Sequence, residues 1–103
     1  MIPSDIDIHP AAIRETRKAY QWYLRRSATA AGRFRAAVER ALEQIAQAPN
    51  RWPAYLHGTR YCPLRRFQFI VVFRQRGDRL QVVAVPHGRR RPGYWKRRKF
   101  GEE

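Results

Sequence analysis

The strongest constraint on the fold is the stretch FQFIVVFRQRGDRLQVVAVP at residues 67–86, in which two apolar runs flank a short polar segment. Alternation along the first run produces one strongly aromatic face, as in a strand that buries one side. That face carries Phe67, Phe69, Val71 and Phe73. The pair Gly77-Asp78 favours a hairpin turn between the runs. We therefore predict strands from Phe67 to Gln75 and from Leu80 to about Pro86, with the aromatic face in the core.

The other face of this hairpin is mixed rather than polar. Its residues in the first strand are Arg66, Gln68, Ile70, Val72 and Arg74. The second strand has apolar residues on both sides, with Leu80, Val82 and Ala84 on one and Val83, Val85 and His87 on the other. An apolar patch on a small domain more often marks a partner site than a plain solvent-facing sheet. We therefore predict that this second sheet face is exposed and binds a partner.

The rest of the chain predicts an N-terminal strand, two helices and a further strand that precedes the two strands of the hairpin. Ile2, Ile6 and Ile8 form a short alternating pattern that ends at His9-Pro10. A helix then runs from Pro10 to about Arg26, and a second one, capped by Ser27 or Thr29, ends at Pro49-Asn50. After a loop, a strand runs from Arg60 to about Leu64. The order is therefore strand, helix, helix and three strands, with the helices forming an antiparallel hairpin.

Helical spacing predicts which side chains of the helices face inward. In the first helix they are Ile13, Arg17, Tyr20, Tyr23 and Leu24, and in the second they are Phe34, Val38, Ala41, Leu42 and Ile45. Tyr20, Trp22 and Tyr23 are candidates for stacking on nucleic acid, but aromatic residues at helical spacing more often belong to a core. We assign them to the core, with Trp52 as a lid over one end and Cys62 as a small packing residue.

Charge and composition narrow the class of protein. The chain has 22 Lys and Arg residues against 8 Asp and Glu residues, and its net charge of +14 predicts salt-sensitive attraction to polyanions or to an acidic protein. At 103 residues one compact domain is expected. Cys62 is the single cysteine, so no intramolecular disulfide forms, and no zinc spacing is present. We expect no cofactor. We also expect no membrane contact and a cytoplasmic protein, because neither a signal segment nor a spanning apolar run is present.

The basic stretch VPHGRRRPGYWKRRK at residues 85–99 is divided by Pro92-Gly93. Residues 87–91 form a basic strip at the end of the last strand, where a phosphate or partner would be met. Trp95 can stack on a base, but Pro92-Gly93 can equally turn the chain back so that Tyr94 and Trp95 cover apolar sheet. We favour the second arrangement. The domain then spans residues 1–95, with residues 96–103 as a mobile basic tail.

With these elements in place, the chain resembles the RelE/ParE superfamily of type II toxins, on its ParE or plasmid-stabilisation side. The resemblance is carried by AVERALEQIAQAPNRWP at residues 37–53, by LRRFQFIVVFRQRGDRLQVVAVPHGRRRPGYW at residues 64–95, and by the element order. It implies an α+β fold, β-α-α-β-β-β, with a helical hairpin on one face of a small, mainly antiparallel curved sheet. It also implies neutralisation by a cognate acidic antitoxin.

Two molecular activities are open within that superfamily. ParE-like members poison DNA gyrase, whereas RelE-like members cut mRNA on the ribosome without a metal. We favour a non-enzymatic poison over a metal-independent endoribonuclease. A non-toxic RNA-binding or ribosome-associated protein would explain the charge but not the mixed sheet face, and a copy that keeps the fold while lacking toxicity is a further alternative.

The predicted site residues follow from these alternatives. For a ribonuclease, arginines would hold the phosphate charge, and a histidine or tyrosine would move protons. The candidates are Arg65, Arg66, His87, Arg89, Arg90 and Tyr94. The residues predicted to bind a partner or target are Arg66, Ile70, Val72, Arg74, His87, Arg89, Arg90, Arg91, Tyr94 and Trp95.

Overall fold

The computed structural model describes residues 5–101, so the predicted contribution of Ile2 to the first strand lies outside the described residues. Two helices pack on a five-stranded mixed sheet, which confirms the predicted α+β class. The elements are β1 (Ile6–Ile8), α1 (Pro10–Leu24), α2 (Ala28–Gln47), β2 (Ala54–Tyr55), β3 (Thr59–Pro63), β4 (Ile70–Arg76) and β5 (Arg79–Ala84). Single 3-10 turns at Pro49–Arg51 and Leu56–Gly58 flank β2.

The sheet order is β1-β5-β4-β3-β2, in which β1 and β5 are parallel and the other neighbours are antiparallel. The two helices carry the chain from β1 at one edge to β2 at the other. The prediction of four strands was wrong by one, because β2 lies in the segment expected to be a loop. Its residues Ala54 and Tyr55 pair with Arg60 and Thr59, but two residues are too few to show an alternating pattern.

Local signals place the ends of the helices close to the predicted positions. Pro10 occupies the first turn of α1, and His9 Nδ1 accepts a hydrogen bond of 3.0 Å from the Ala11 N–H. Of the two candidate caps for α2, the structure uses Ser27, whose Oγ accepts from the Ala30 N–H at 3.1 Å. The inward face predicted for α2 is confirmed. Phe34, Ala41, Leu42 and Ile45 are buried, and Val38 is half-buried.

The main core lies between the helices and the aromatic side of β4. The fully buried Phe34 ring is 5.2 Å from Tyr23, 5.4 Å from Phe67 and 5.3 Å from Phe69, measured between ring centroids. Val71 and Phe73 of β4 are buried in the same core. The predicted core face is therefore confirmed, although β4 begins at Ile70 and not at Phe67.

The inward face predicted for α1 was partly wrong. Ile13 and Leu24 are 41% and 47% exposed, and Trp22, which we assigned to the core, is 49% exposed. The buried residues of this helix are Ala12 and Ala19, whose small side chains allow the helix to lie close to the sheet. The larger side chains are thereby displaced to the rim. The tyrosines at positions 20 and 23 do pack against the core.

Cys62 is a buried packing residue, as predicted. Its side chain belongs to the main core, and burial raises the pKa of its thiol to about 11. A thiol with that pKa is protonated at neutral pH and is a poor nucleophile. Between Asp5 and Gly101 no group of three or more His, Cys, Asp or Glu residues could hold a metal ion. Over the same described range, neither helix has the length and apolar character needed to cross a membrane.

Candidate functional site

A segment that we call the C-terminal strap, residues 93–100, folds back over the second face of the sheet. Trp95 is only 2% exposed and packs on Val72, Val83 and Ala84 in a small second core. The Tyr55 ring of β2 stacks on Trp95 with 5.5 Å between centroids. The predicted return of the chain after Pro92-Gly93 is therefore confirmed.

This strap corrects the prediction of an exposed mixed sheet face. Val72 has no exposed surface because Trp95 covers it, and Ile70 packs against the same cluster. Arg74 is half-buried, and its Nε donates a hydrogen bond of 2.8 Å to Gln81 Oε1. Ile70, Val72 and Arg74 thus belong to the sheet surface that the strap covers wholly or in part. A partner cannot contact Val72 while the strap is in place.

Glu15 of α1 anchors the strap. Its side chain is 14% exposed, and its carboxylate accepts hydrogen bonds from three groups, which together with Glu15 we call the Glu15 cluster. The donors are the Val85 N–H at 2.9 Å, the Tyr94 hydroxyl at 2.6 Å, and the Arg98 guanidinium at 3.2 Å to Oε1 and 2.8 Å to Oε2. The cluster therefore joins the first helix, the end of β5 and the strap at one carboxylate.

The charge of Glu15 is stabilised by these donors against the effect of burial. Burial alone would raise the pKa of the Glu15 carboxyl, but the hydrogen bonds from Arg98, Tyr94 and the Val85 N–H lower it below its ordinary value. Arg98 is similarly enclosed, with 17% of its side chain exposed, and its Nη1 also donates to the Val83 carbonyl at 3.0 Å. A bidentate pair of this kind fixes geometry as well as charge.

The strap is longer than the sequence predicted. Lys96 was expected to begin a mobile tail, but Arg98 is held by Glu15, and the Phe100 ring lies 5.2 Å from the His9 ring in an edge-on contact. The error arose because a run of basic residues gave no sign that one of them would pair with an acid on α1. The prediction that residues 96–103 form a plain tail is therefore wrong for Arg98 and Phe100.

Tyr94 is engaged inside the Glu15 cluster. Burial raises the pKa of its hydroxyl, and the hydrogen bond donated to Glu15 raises it further. The guanidinium of Arg90 lies 3.9 Å from the ring centroid and that of Arg98 lies 4.9 Å from it. Tyr94 is therefore protonated at neutral pH, and its hydroxyl proton is used in the hydrogen bond donated to Glu15.

A groove of about 420 Å³, which we call the His87 groove, opens between α1 and the end of β5. Its walls include Lys18, Trp22, Tyr23, Phe69, His87 and Arg90. The His87 ring meets the Phe69 ring edge-on at 5.1 Å, and its Nδ1 accepts from the Arg89 N–H at 3.1 Å. Cationic and aromatic side chains are thus combined at the end of the basic strip.

Arg65 and Arg66 lie elsewhere. Both are exposed in the turn between β3 and β4, and they line a groove of about 620 Å³ with Arg33 and Arg40 of α2, which we call the arginine groove. Arg66 has a φ of 67°, so it belongs to the turn and not to either face of β4. Arg65 and Arg66 are therefore separated from the other candidate catalytic residues. The structure brings together His87, Arg89, Arg90 and the enclosed Tyr94.

Glu15 and Arg98 were not among the site residues predicted from the sequence. A signal for Glu15 is present, since it lies three residues after Ala12 and four before Ala19, which puts a carboxylate on the buried stripe of α1. Acidic residues are seldom buried unless they are paired. That pattern indicates a partner for Glu15 but does not reveal which of the many arginines it is.

Gly93 is required by the geometry at the start of the strap. Its φ is +83°, and a Cβ there would lie 2.8 Å from His57 Nε2. We expect Gly93→Ala to lower the free energy of unfolding by about 1–2 kcal/mol, because alanine strains in the left-handed region and displaces the His57 ring. Gly32→Ala in α2 is the matched control. It meets nothing within 4 Å and should stabilise by about 0.5–1 kcal/mol. Urea unfolding of both variants measures the difference, and equal effects would contradict this role for Gly93.

Comparison with protein families finds one that spans most of the described fold. The model of the family described as the ParE toxin of the type II toxin–antitoxin system, parDE, matches residues 6–92. That range includes β1 to β5, the His87 groove and the basic strip. No curated protein matches the chain. The family match agrees with the element order, the sheet and the helical hairpin, and the chain therefore belongs to the ParE toxin family of type II toxin–antitoxin systems.

Proposed function

We propose that this protein inhibits growth by binding and poisoning DNA gyrase, without a hydrolytic step of its own, and that a cognate acidic antitoxin neutralises it. Membership of the ParE family supports the toxin role and implies an antitoxin partner. The resemblance to ParE-like toxins supports gyrase as the target. The observation that carries the non-enzymatic part is the separation of the candidate catalytic residues, since Arg65 and Arg66 line a different groove from His87 and Arg90.

The state of Tyr94 supports the same conclusion. Cleavage of RNA requires a base for the 2′-hydroxyl, cations for the phosphate and an acid for the leaving oxygen. A phenol with a raised pKa that already donates to a carboxylate is a poor candidate for the base or the acid. His87 retains only Nε2 for proton transfer, because its Nδ1 accepts from Arg89. The remaining groups are better suited to binding than to turnover.

The basic strip is the proposed contact for the target. Arg89, Arg90 and Arg91 are exposed, and His87 is half-exposed beside them. Exposed guanidinium groups favour fast, salt-sensitive association with an anionic partner surface. The strip thus retains the target-binding role predicted from sequence, whereas Val72 and Trp95 support it from inside the domain.

A separate apolar groove on the helical hairpin is the proposed contact for the antitoxin. This groove, of about 400 Å³, lies between α1 and α2 and is lined by Ile13, Tyr20, Val38 and Leu42 among others. Ile13 is 41% exposed on its rim, the exposed Arg17 also lines it, and Arg35 lines it while paired with Glu39. Apolar anchors beside an exposed arginine fit an amphipathic, acidic segment of a partner. An acidic antitoxin has the complementary charge for a protein of +14.

A ribosome-dependent mRNA endonuclease is the second candidate, and the His87 groove is the observation that favours it. Lys18, His87 and Arg90 stand beside the rings of Trp22, Tyr23 and Phe69. Aromatic faces can stack on an unpaired base while cations hold its phosphates. This arrangement would position RNA, but it has no second free proton-transfer group besides His87.

Controlled expression with and without the adjacent open reading frame distinguishes these functions. We expect growth arrest with gyrase-linked DNA breaks and intact mRNA, and suppression of the arrest when a small acidic neighbouring protein is co-expressed. Cleaved mRNA without DNA breaks would instead establish the endonuclease. Absence of arrest in cells that accumulate folded protein would contradict both toxin functions.

Substitutions in the candidate catalytic strip provide an independent test. We expect Tyr94→Phe to leave toxicity within about threefold of the wild type and His87→Ala to weaken it by about tenfold at most, the scale of one lost binding contact. Neither residue moves a proton in a non-enzymatic poison. Growth inhibition at matched protein levels measures the effect, with circular dichroism as the folding control. A loss of 100-fold or more with an intact fold is the scale expected for removing a proton-transfer group, and it would contradict the proposal.

A further inference from the structure

We propose that the arginine groove binds the phosphodiester backbone of a nucleic acid, as a second anionic site separate from the His87 groove. This inference goes beyond the proposed function, because it assigns direct contact with nucleic acid to a surface other than the basic strip and the His87 groove. Four arginines form its charged part. Arg33 and Arg40 belong to α2, and Arg65 and Arg66 belong to the turn between β3 and β4.

The four cations are available for a ligand. All four residues are exposed, no carboxylate lines the groove, and none of the four guanidinium groups has an ion pair or hydrogen bond with another residue in the range 5–101. Nearby charges on the same helix behave differently, since Arg35 pairs with Glu39 at 3.4 Å. The groove is therefore an uncompensated concentration of positive charge.

The spacing and chemistry of the cations suit phosphates. Arg33 and Arg40 are separated by seven helical residues, which is about 10 Å along the axis and close to three base-pair steps of about 3.4 Å along the axis of a DNA duplex. All four are arginines, whose planar guanidinium groups bind phosphate oxygens in pairs. The Thr29 hydroxyl in the same lining is a further donor of the type that contacts phosphates.

The floor of the groove argues against an acidic peptide as the occupant. It consists of Ala30, Ala36 and Ala37 with Phe67, which is already packed in the core. Peptide docking depends on pockets for large apolar or aromatic anchors. The apolar groove on the helical hairpin offers such anchors, whereas the arginine groove offers charge with almost none. A nucleic-acid backbone needs only the charge.

The backbone of Arg66 supplies an independent observation. A non-glycine residue at a φ of 67° is strained, and strained positions cluster at ligand contacts. Glycine would adopt this conformation without strain. An arginine here places a cation on the side of the groove formed by the turn between β3 and β4, and it makes that turn less stable than a glycine would.

The test uses the full chain, a labelled 12-nucleotide single strand and a 12-base-pair duplex, measured by fluorescence anisotropy over a range of salt. We expect Arg33→Gln/Arg40→Gln to weaken binding of at least one probe by tenfold or more and to reduce the salt slope by about two. The charge-matched control is Arg14→Gln/Arg97→Gln, which removes two exposed arginines outside the groove and should weaken binding less than threefold. Whichever probe responds identifies a single strand or a duplex as the ligand.

Two results would overturn the proposal. Equal weakening by the groove pair and the control pair would mean that the net charge alone attracts nucleic acid. If Arg33→Gln/Arg40→Gln loses binding to a 20-residue polyglutamate peptide but binds both oligonucleotides as the wild type does, the groove would be assigned to an acidic protein. Arg66→Gly provides a check that misfolding cannot imitate, because we expect it to raise the urea midpoint while weakening oligonucleotide binding. Oligonucleotide binding by the two double variants is measured without any toxicity assay, so this inference can fail while the proposed function holds.

Discussion

Trp95→Ala is expected to lower the free energy of unfolding by about 3–5 kcal/mol, the usual range for truncating a buried tryptophan. Trp95 is the largest fully buried side chain and forms the centre of the second core with Val72, Val83 and Ala84. Its removal opens a cavity and also uncovers apolar sheet. Urea unfolding measures the loss, and binding of an apolar dye to the native state measures the uncovered surface.

Trp95→Phe is the matched control for this variant. Phenylalanine keeps an aromatic ring against Tyr55 and still covers Val72, so we expect a loss of about 1–2 kcal/mol and little dye binding. If Trp95→Ala costs less than about 1 kcal/mol, the strap does not close the second sheet face in solution. The mixed face would then be open to a partner, as the sequence pattern first indicated.

Glu15→Ala is expected to lower the free energy of unfolding by about 3 kcal/mol, because removing one partner leaves a buried charge uncompensated. Arg98 would lose its bidentate acceptor, and the Tyr94 hydroxyl and the Val85 N–H would lose theirs. Glu43→Ala, an exposed substitution on α2, is the control and should change stability by less than about 0.5 kcal/mol. Equal effects of the two variants in urea unfolding would show that the Glu15 cluster does not anchor the strap.

The same carboxylate predicts how stability depends on pH. The folded pKa of Glu15 lies below the ordinary value of 4.5, so its stabilisation is fully present above pH 4.5 and is lost as pH falls through the folded pKa. Glu15→Gln removes this titration. We therefore expect the difference in unfolding free energy between the wild type and Glu15→Gln to be constant near neutral pH and to shrink in acid. A difference that does not change with pH would contradict a charged Glu15 in the fold.

Much of the fold could be predicted because its signals are local. The cap at Ser27, the turn at Gly77-Asp78 and the alternation from Phe67 to Phe73 each depend on neighbours in sequence. The short β2 and the inner face of α1 could not be predicted in this way. A strand of two residues has no period, and burial of Ala12 and Ala19 follows from how closely the helix approaches the sheet.

The candidate site was harder to predict because it depends on contacts across the whole chain. Glu15 and Arg98 are 83 residues apart, and no local pattern selects Arg98 from the other arginines. The position of Arg66 depended on where β4 begins, and the first three residues of the predicted strand belong to a turn and an isolated bridge instead. The return of Trp95 was predictable only because a proline and glycine precede two aromatic residues.

The covered sheet face limits which surfaces remain for partners. With the strap in place, the exposed regions of distinctive chemistry are the basic strip with the His87 groove, the apolar groove on the helical hairpin and the arginine groove. These regions are separate enough for the proposed target, antitoxin and nucleic acid to contact different residues. The antitoxin could then neutralise the toxin without displacing the strap.

A DNA cleavage assay with purified gyrase tests the proposed function most directly. We expect the wild-type protein to cause accumulation of covalent gyrase–DNA complexes on plasmid DNA. Tyr94→Phe should do the same, and so should His87→Ala at a higher concentration, because it loses one contact of the basic strip and no proton-transfer group. The antitoxin encoded beside the gene should abolish the accumulation. Unchanged gyrase activity, together with cutting of mRNA on purified ribosomes that is lost in His87→Ala, would contradict the proposal.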